Sequence, residues 1–331
     1  MTKSAVLRSP CRRRLTLSEG ITAILSMLLV FEVLCDPTAV AASAREGLLL
    51  TAHSVIPALF PFFVLSSLLS ESKITARLGR YLSAPLRLLF GVSGSGAPVL
   101  LLGAFCGFPV GARYASALYG AGEISRGEYE RLLPLSSAPS FAFLYTAVGA
   151  GYFGDRRFGA VLYCSVLLAT AVSGILLRVL FGVSGGALPY KEPSPRSTAA
   201  RLTGAVSSAV TASLSVAGYV VFFTVVTAAL TRLLTSVGSS SGIPLLLGGL
   251  LEITSGIKKA AETDSGLCGR VLCGLFAGFG GLCAALQVIA TVEHPLPDRA
   301  PRERPSLRPY FFSKILSGLL SALFTFLFLR L

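Results

Sequence analysis

Nine mostly apolar runs, separated by short polar connectors, dominate the pattern of this chain. A helix needs roughly 20 apolar residues to cross the hydrocarbon core of a bilayer, and most of the runs approach that length. The runs cover residues 20–35, 47–69, 97–118, 132–153, 158–181, 206–234, 243–257, 267–292 and 310–329. The pattern therefore predicts a series of membrane-spanning helices.

The composition excludes a water-soluble fold. Of the 331 residues, 53% are apolar and 14% are charged, and the mean hydropathy is +0.73. A soluble domain carries roughly 25% charged residues. A soluble fold of this length could not cover so much apolar surface with polar groups. We therefore predict an all-α polytopic membrane protein with about seven crossings.

The net charge of +13 does not indicate nucleic acid, because the cations lie in the connectors, where they set membrane orientation. Their distribution favours a cytoplasmic N-terminus. Five cations precede residue 15, and the tripeptide Ala39-Val40-Ala41 follows the first run, as in a cleavable signal peptide. The alternative is a first transmembrane helix behind a basic tail, over residues 1–46, and we favour it.

Two runs are interrupted and resemble each other. Run 97–118 contains Gly107-Phe108-Pro109-Val110-Gly111, which cannot continue a regular helix. Residues 96–103 read GAPVLLLG, and residues 242–249 read GIPLLLGG. If both runs are re-entrant helical hairpins, residues 47–181 and residues 206–331 each contain three crossings. Because three is odd, the second half is inverted relative to the first, and the two halves form inverted repeats. A polar linker at 182–205 joins them. Inverted repeats with broken helices are typical of secondary transporters. A fold in which both runs cross the membrane stays open.

Several short motifs carry a resemblance to a known family. They are IPALFPFF at 56–63, GFPVGA at 107–112, GEIS at 122–125, EYERL at 128–132, LEITSG at 251–256 and GGL at 280–282, followed by Gln287-Val288. In order and spacing they resemble the YlbJ-type sporulation integral membrane proteins, within the wider nucleoside-recognition Gate domain group.

The resemblance implies a role in endospore formation. For the closest relatives it implies movement of dipicolinic acid from the mother cell towards the forespore, hence the cell (inner) membrane or the outer forespore membrane. More distant concentrative nucleoside transporters imply re-entrant hairpins and ion coupling. One departure concerns residues 135–141, which read LSSAPSF where the family tends to carry Asn. Ser136, Ser137 and Ser140 are therefore candidate substrate contacts with a shorter reach than amides.

The first interruption is a candidate anion site. A half-helix that restarts after Gly107, Phe108, Pro109 and Gly111 presents free N–H groups, which favour an anion. The alternative is a kink that lets helices pack closely. Arg113 and Lys258 each stand two residues after a glycine, and we expect them to attract an anion at opposite mouths of a pathway. Membrane anchoring is the alternative for both cations.

The second interruption contains a carboxylate in an apolar run. Glu252, beside Thr254, Ser255 and Gly256, is a candidate for H⁺ or Na⁺ coupling or for substrate binding, since carboxylates inside membranes usually mark a pathway. The alternative is a hairpin-tip carboxylate in interfacial water. Gln287, which follows Gly281, could bind substrate or a neighbouring helix.

No signature of catalysis is specific here. The G-x-S-x-G match at 182–186 follows a span and not a strand, and the seven cysteines form no C-x-x-C pair. We expect no enzyme activity, no resident cofactor and no metal site. The prediction is a permease for a small anionic metabolite, dipicolinate first, whose partners are the lipid bilayer and the solute. A nucleoside-like permease and a structural component of the spore membrane are the alternatives, and a homo-oligomer is left open.

Overall fold

The computed structural model describes residues 17–70, 73–182, 197–239, 242–293 and 304–331, and these ranges contain helices and their connections. The basic tail before residue 17 and most of the predicted linker lie outside the described residues. The α-helices are α1 (Leu17–Cys35), α2 (Pro37–Leu50), α3 (Ile56–Ser70), α4 (Lys73–Phe90), α5 (Ala97–Cys106), α6 (Val110–Ala121), α7 (Arg126–Leu135), α8 (Arg156–Phe181), α9 (Thr198–Ser236), α10 (Gly242–Leu251), α11 (Ile253–Thr263), α12 (Leu267–Phe279), α13 (Gly281–Glu293) and α14 (Arg308–Arg330). Two π-helical segments (Thr51–Val55 and Phe143–Tyr152) and a 3₁₀ turn (Gly94–Gly96) complete the described structure.

Four described helical stretches are long and apolar enough to cross a bilayer: α8, α9, the stretch α12–α13, and α14. Two bent pairs, α1 with α2 at 113° and α4 with α5 at 97°, raise the number to six if each is one span. Large apolar side chains such as Leu214 and Leu319 are exposed on the outer faces of α9 and α14, where lipid would cover them. The prediction of an all-α, multi-pass membrane protein is confirmed.

The described part of the chain contains four to six candidate spans, fewer than the seven or so that the sequence predicts, and two runs expected to be continuous are interrupted. Run 132–153 is broken at residues 136–140, and run 267–292 at Gly280. Pro139 lacks an N–H. Gly280 and Gly281 have φ of +85° and +77°, values that residues other than glycine rarely adopt. Short uncharged residues at both places keep the hydropathy high, so the apolar pattern does not reveal the breaks.

The run 97–118 folds back on itself. The connection between α5 and α6 contains Gly107, with φ of +76°, followed by Phe108 and Pro109. A Cβ on Gly111 would lie 2.9 Å from the Cα of Gly103, so the two helices touch through glycine. The tip rests on the interruption after α7, since the Phe108 N–H donates to the Ala138 carbonyl at 3.0 Å.

The run 243–257 has the same arrangement. A Cβ on Gly256 would lie 2.1 Å from the Cα of Gly249, so α10 and α11 approach closely on either side of Glu252. A Cβ on Gly281 would lie 3.3 Å from the Leu251 oxygen and from the Ile253 nitrogen. This tip therefore lies against the interruption between α12 and α13, as the first tip lies against the interruption after α7.

An ion pair joins the two halves of the chain near the starts of α8 and α12. Arg270 Nη1 lies 2.7 Å from Asp155 Oδ2, and the guanidinium stands 4.8 Å from the centre of the Phe158 ring. The Phe158 N–H, which donates to the Asp155 carboxylate, and the Arg270 side chain together lower the pKa of Asp155. The pair fixes one end of the first half against the second.

Helix α14 packs between α8 and α12 through small and hydroxylated residues. Ser173 of α8 lies 2.8 Å from Ser317 and 3.1 Å from Ser313, oxygen to oxygen. On the other side, a Cβ on Gly278 of α12 would lie only 2.4 Å from the Ser317 carbonyl oxygen. Small residues let membrane helices approach closely, so this contact depends on Gly278 having no side chain.

We expect Gly278→Ala to lower the free energy of unfolding by about 1–3 kcal/mol, because the new methyl group must push α12 away from the α14 backbone. Gly218→Ala is the matched control, since a Cβ there meets no atom within 4 Å. The control should be neutral or stabilising by up to ~1 kcal/mol, as alanine favours helix. Thermal unfolding of both detergent-purified variants measures this, and equal melting temperatures would contradict the packing argument.

Candidate functional site

A small cavity lies where the two hairpin tips meet. Its volume is about 30 Å³, and its lining comes from both halves of the chain. Five of the residues that the sequence singled out line it: Phe108, Ser140, Glu252, Thr254 and Gln287. The fold therefore brings the two interrupted runs, which are far apart in sequence, to one point.

A much larger cavity of about 420 Å³ adjoins it, and Gln287 lines both. Pro109 and Arg113 also line the larger cavity. The remaining polar lining is uncharged: Ser66, Ser67, Tyr114, Ser116, Ser208, Ser215, Tyr219 and Thr291. Among the described residues that line this cavity, none is Asp or Glu. The cavity therefore combines hydroxyl and amide groups with a single guanidinium.

Arg113 is exposed toward this cavity from α6, one turn after the first tip. Within the described part of the chain it forms no ion pair. Lys258, expected as its counterpart, has a different environment. Its Nζ lies 3.8 Å from Glu46 Oε1 and 3.9 Å from Glu262 Oε1, so its charge is balanced by neighbouring carboxylates.

Glu252 is 1% exposed, and both of its carboxylate oxygens accept backbone hydrogen bonds. Oε1 accepts from the Thr254 N–H at 2.9 Å, and Oε2 accepts from the Ser255 N–H at 2.6 Å. The carboxylate thus caps the first turn of α11 and supplies the anion that this helix start favours. No side chain caps the start of α6 in the same way, where Pro109 precedes the helix.

The hydroxyls predicted as substrate contacts lie close to backbone groups. Ser136 and Ser137 both donate to the Leu133 carbonyl, and Ser140 Oγ accepts from the Phe143 N–H at 3.1 Å. Ser255 Oγ lies 3.4 Å from the Glu252 carbonyl. Of these serines, only Ser140 lines the small cavity.

The glycines of the predicted site mediate packing. A Cβ on Gly103 or Gly111 would lie within 2.6 Å of Ser136 atoms, and a Cβ on Gly107 would lie 2.6 Å from the Ser140 nitrogen. Gly107 and Gly281 thus let each tip lie close to its interrupted helix, and Gly256 lets α11 lie close to α10.

Gln287 is 4% exposed and has an unsatisfied oxygen. Its Nε2 lies 3.5 Å from Cys283 Sγ, and Oε1 has no hydrogen-bond partner among the described residues. A buried polar atom without a partner costs roughly 1–3 kcal/mol. An amide at the junction of two cavities is therefore well placed to bond a solute.

Lys314 is a buried charged residue that is not among the candidates predicted from the sequence. It is 3% exposed on α14, and its Nζ donates to the Ser137 carbonyl at 2.9 Å. The available signal was a lysine four residues inside the apolar run 310–329, since charges within spans are rare and usually functional.

Comparison with known proteins gives one similarity. No protein-family model and no solved structure matches the chain. The chain is 27% identical to the sporulation integral membrane protein YlbJ of Bacillus subtilis (strain 168), over 91% of this chain and 80% of that protein. This similarity along most of both chains confirms the resemblance to the YlbJ-type sporulation integral membrane proteins that the motifs predicted.

Proposed function

We propose that this protein is a permease for a small anionic metabolite, with dipicolinate as the first candidate. The observation that carries the proposal is the cavity of about 420 Å³ with one guanidinium and no carboxylate among its described lining residues. Its volume falls within the roughly 300–1,000 Å³ typical of small-molecule sites. A cavity with an unpaired cation attracts anions and disfavours cations.

The chemistry of dipicolinate fits this lining. The solute is a flat pyridine ring with two carboxylates. The planar guanidinium of Arg113 can bind one carboxylate through two parallel hydrogen bonds. Hydroxyl groups such as those of Ser208 and Tyr219 rotate to donate to an anion, and the rings of Tyr114 and Tyr219 offer flat apolar surfaces. Gln287 bonds the solute where it passes towards the hairpin tips.

The two hairpins are proposed to be re-entrant, and the two halves to be inverted repeats. Two observations support this. Each hairpin folds back through a glycine contact, and each tip lies against an interrupted long helix of its own half. Such an arrangement allows one repeat to rock against the other around a fixed site, as in secondary transporters. Coupling to H⁺ or Na⁺ is part of the same proposal.

The cellular role rests on the relative. Because the similar protein is a sporulation integral membrane protein, we propose that this chain acts in sporulation. Dipicolinate would then leave the mother cell through the cell membrane or the outer forespore membrane. The cations of the connectors favour a cytoplasmic N-terminus.

Arg113→Gln should weaken dipicolinate binding at least ~10-fold, because charge-assisted hydrogen bonds contribute about 1.5–3 kcal/mol and 1.4 kcal/mol is tenfold. Lys258→Gln is the matched control and should leave binding unchanged, since its charge is already balanced. Binding to purified protein and efflux from preloaded proteoliposomes measure this, with a nucleoside as the competing solute. Preference for the nucleoside would contradict the anionic substrate, and absence of any binding or flux would favour a structural role.

Glu252→Gln should lower the free energy of unfolding by about 1–2 kcal/mol, because the amide keeps one acceptor for the α11 cap and loses the other together with the charge. Glu262→Gln on the same helix is the control and should change stability by less than about 0.5 kcal/mol, because its ion pair with Lys258, at 3.9 Å, is exposed and weak. Thermal unfolding measures both variants. We expect the flux per folded Glu252→Gln molecule to persist. Unchanged stability with abolished flux would instead indicate a coupling role for the carboxylate.

A further inference from the structure

The ammonium of Lys314 lies between two helix interruptions. On one side its Nζ donates to the carbonyl of Ser137, two residues beyond the end of α7. On the other side it lies against Gly280, where α12 ends. A Cβ on Gly280 would stand 3.3 Å from Cε and 3.4 Å from Nζ of Lys314. One side chain therefore touches the ends of both interrupted helices.

Both contacts of Lys314 lie at C-terminal helix ends, and such ends stabilise a positive charge. The last carbonyls of a helix carry a partial negative charge, equivalent to roughly half an elementary charge. The ammonium therefore hydrogen-bonds a carbonyl just beyond the end of α7 and lies beside the end of α12. This is the arrangement that binds a cation.

The compensation for the buried charge comes from backbone and hydroxyl groups. Within the described part of the chain, no carboxylate forms an ion pair with Lys314. One turn earlier on α14, the buried Tyr310 hydroxyl hydrogen-bonds the Ser137 side chain. Burying an ammonium without a carboxylate costs free energy unless dipoles surround the charge. The two helix ends supply such dipoles.

We propose that Lys314 is a built-in monovalent cation that occupies a cation site formed by the ends of α7 and α12. In secondary transporters, unwound carbonyls and half-helix C-terminal ends coordinate the coupling Na⁺. Here the tethered ammonium takes that position, so that no free metal ion enters the junction. The consequence for transport rests on the proposed function and narrows its coupling ion: with this junction filled, solute flux proceeds without Na⁺, which leaves H⁺ as the coupling ion.

The test removes the Lys314 ammonium and adds small free cations that could bind in its place. Lys314→Ala removes the ammonium and leaves a vacancy, whereas Lys314→Met removes the charge and fills the space. Thermal unfolding is measured for each purified protein in Na⁺, K⁺ or methylammonium chloride, against choline chloride at the same ionic strength. We expect at least one small cation to raise the melting temperature of Lys314→Ala by a few degrees, and none to change the wild type or Lys314→Met. Val288→Ala, a buried vacancy elsewhere, is the cavity control and should not respond.

Several results would overturn the inference. A Lys314→Ala protein that folds and responds to none of the three cations has no cation site. If the wild-type protein needs Na⁺ for stability or flux, and choline cannot replace it, the junction is not filled by Lys314. This measurement does not depend on the folding of any variant. The stability readout also separates the two proposals. If cations raise the melting temperature of Lys314→Ala but no solute flux is found, only the permease proposal is contradicted. If solute flux is found but no cation raises that melting temperature, only the role of Lys314 is contradicted.

Discussion

Backbone groups that are freed inside a bilayer must find partners within the protein, because hydrocarbon offers none. This constraint governs every interruption described above. The N–H of Phe108 bonds the carbonyl of Ala138, the carboxylate of Glu252 caps α11, and the ammonium of Lys314 bonds the carbonyl of Ser137. Each break in a helix thus becomes a contact between two segments, so that satisfying the backbone also assembles the centre of the molecule.

The charges at this centre follow from the same constraint. A helix start favours an anion and a helix end favours a cation. Glu252 stands at the start of α11, and Lys314 stands between the ends of α7 and α12. Both buried charges are thereby stabilised by backbone groups of the chain. Arg113 differs, since it extends into a cavity in which no described residue carries an opposite charge. The proposed function assigns this charge to the solute.

Close packing of small residues makes this geometry possible. Glycine pairs bring α5 against α6 and α10 against α11, and Gly278 brings α12 against the backbone of α14. Lys314 reaches both interruptions only because α14 is held this tightly between α8 and α12. Membrane helices gain little from burying apolar surface against one another, so contact at short range and hydrogen bonding must hold them together.

The sequence by itself determined the class of the protein and the position of the break at residues 107–109. Long apolar runs require helices in a membrane, and Gly107-Phe108-Pro109 cannot continue a helix, because proline lacks an N–H and Gly107 adopts positive φ. The sequence also marked Glu252 as a costly charge in an apolar run, and it placed Arg113 and Gln287 among the candidates.

The tertiary structure alone decided what these residues contact. Residues 136–140 and Gly280 are uncharged and small, so hydropathy along the chain could not distinguish them from continuous spans. Pro139 and the positive φ of Gly280 end the helices locally, and only the tertiary structure shows that a hairpin tip packs against each break. The environments of Lys258 and Lys314 depend on residues far away in sequence, Glu46 for the first and Ser137 for the second. Burial and hydrogen bonding are properties of neighbours in space, which a linear pattern of apolar and polar positions does not contain.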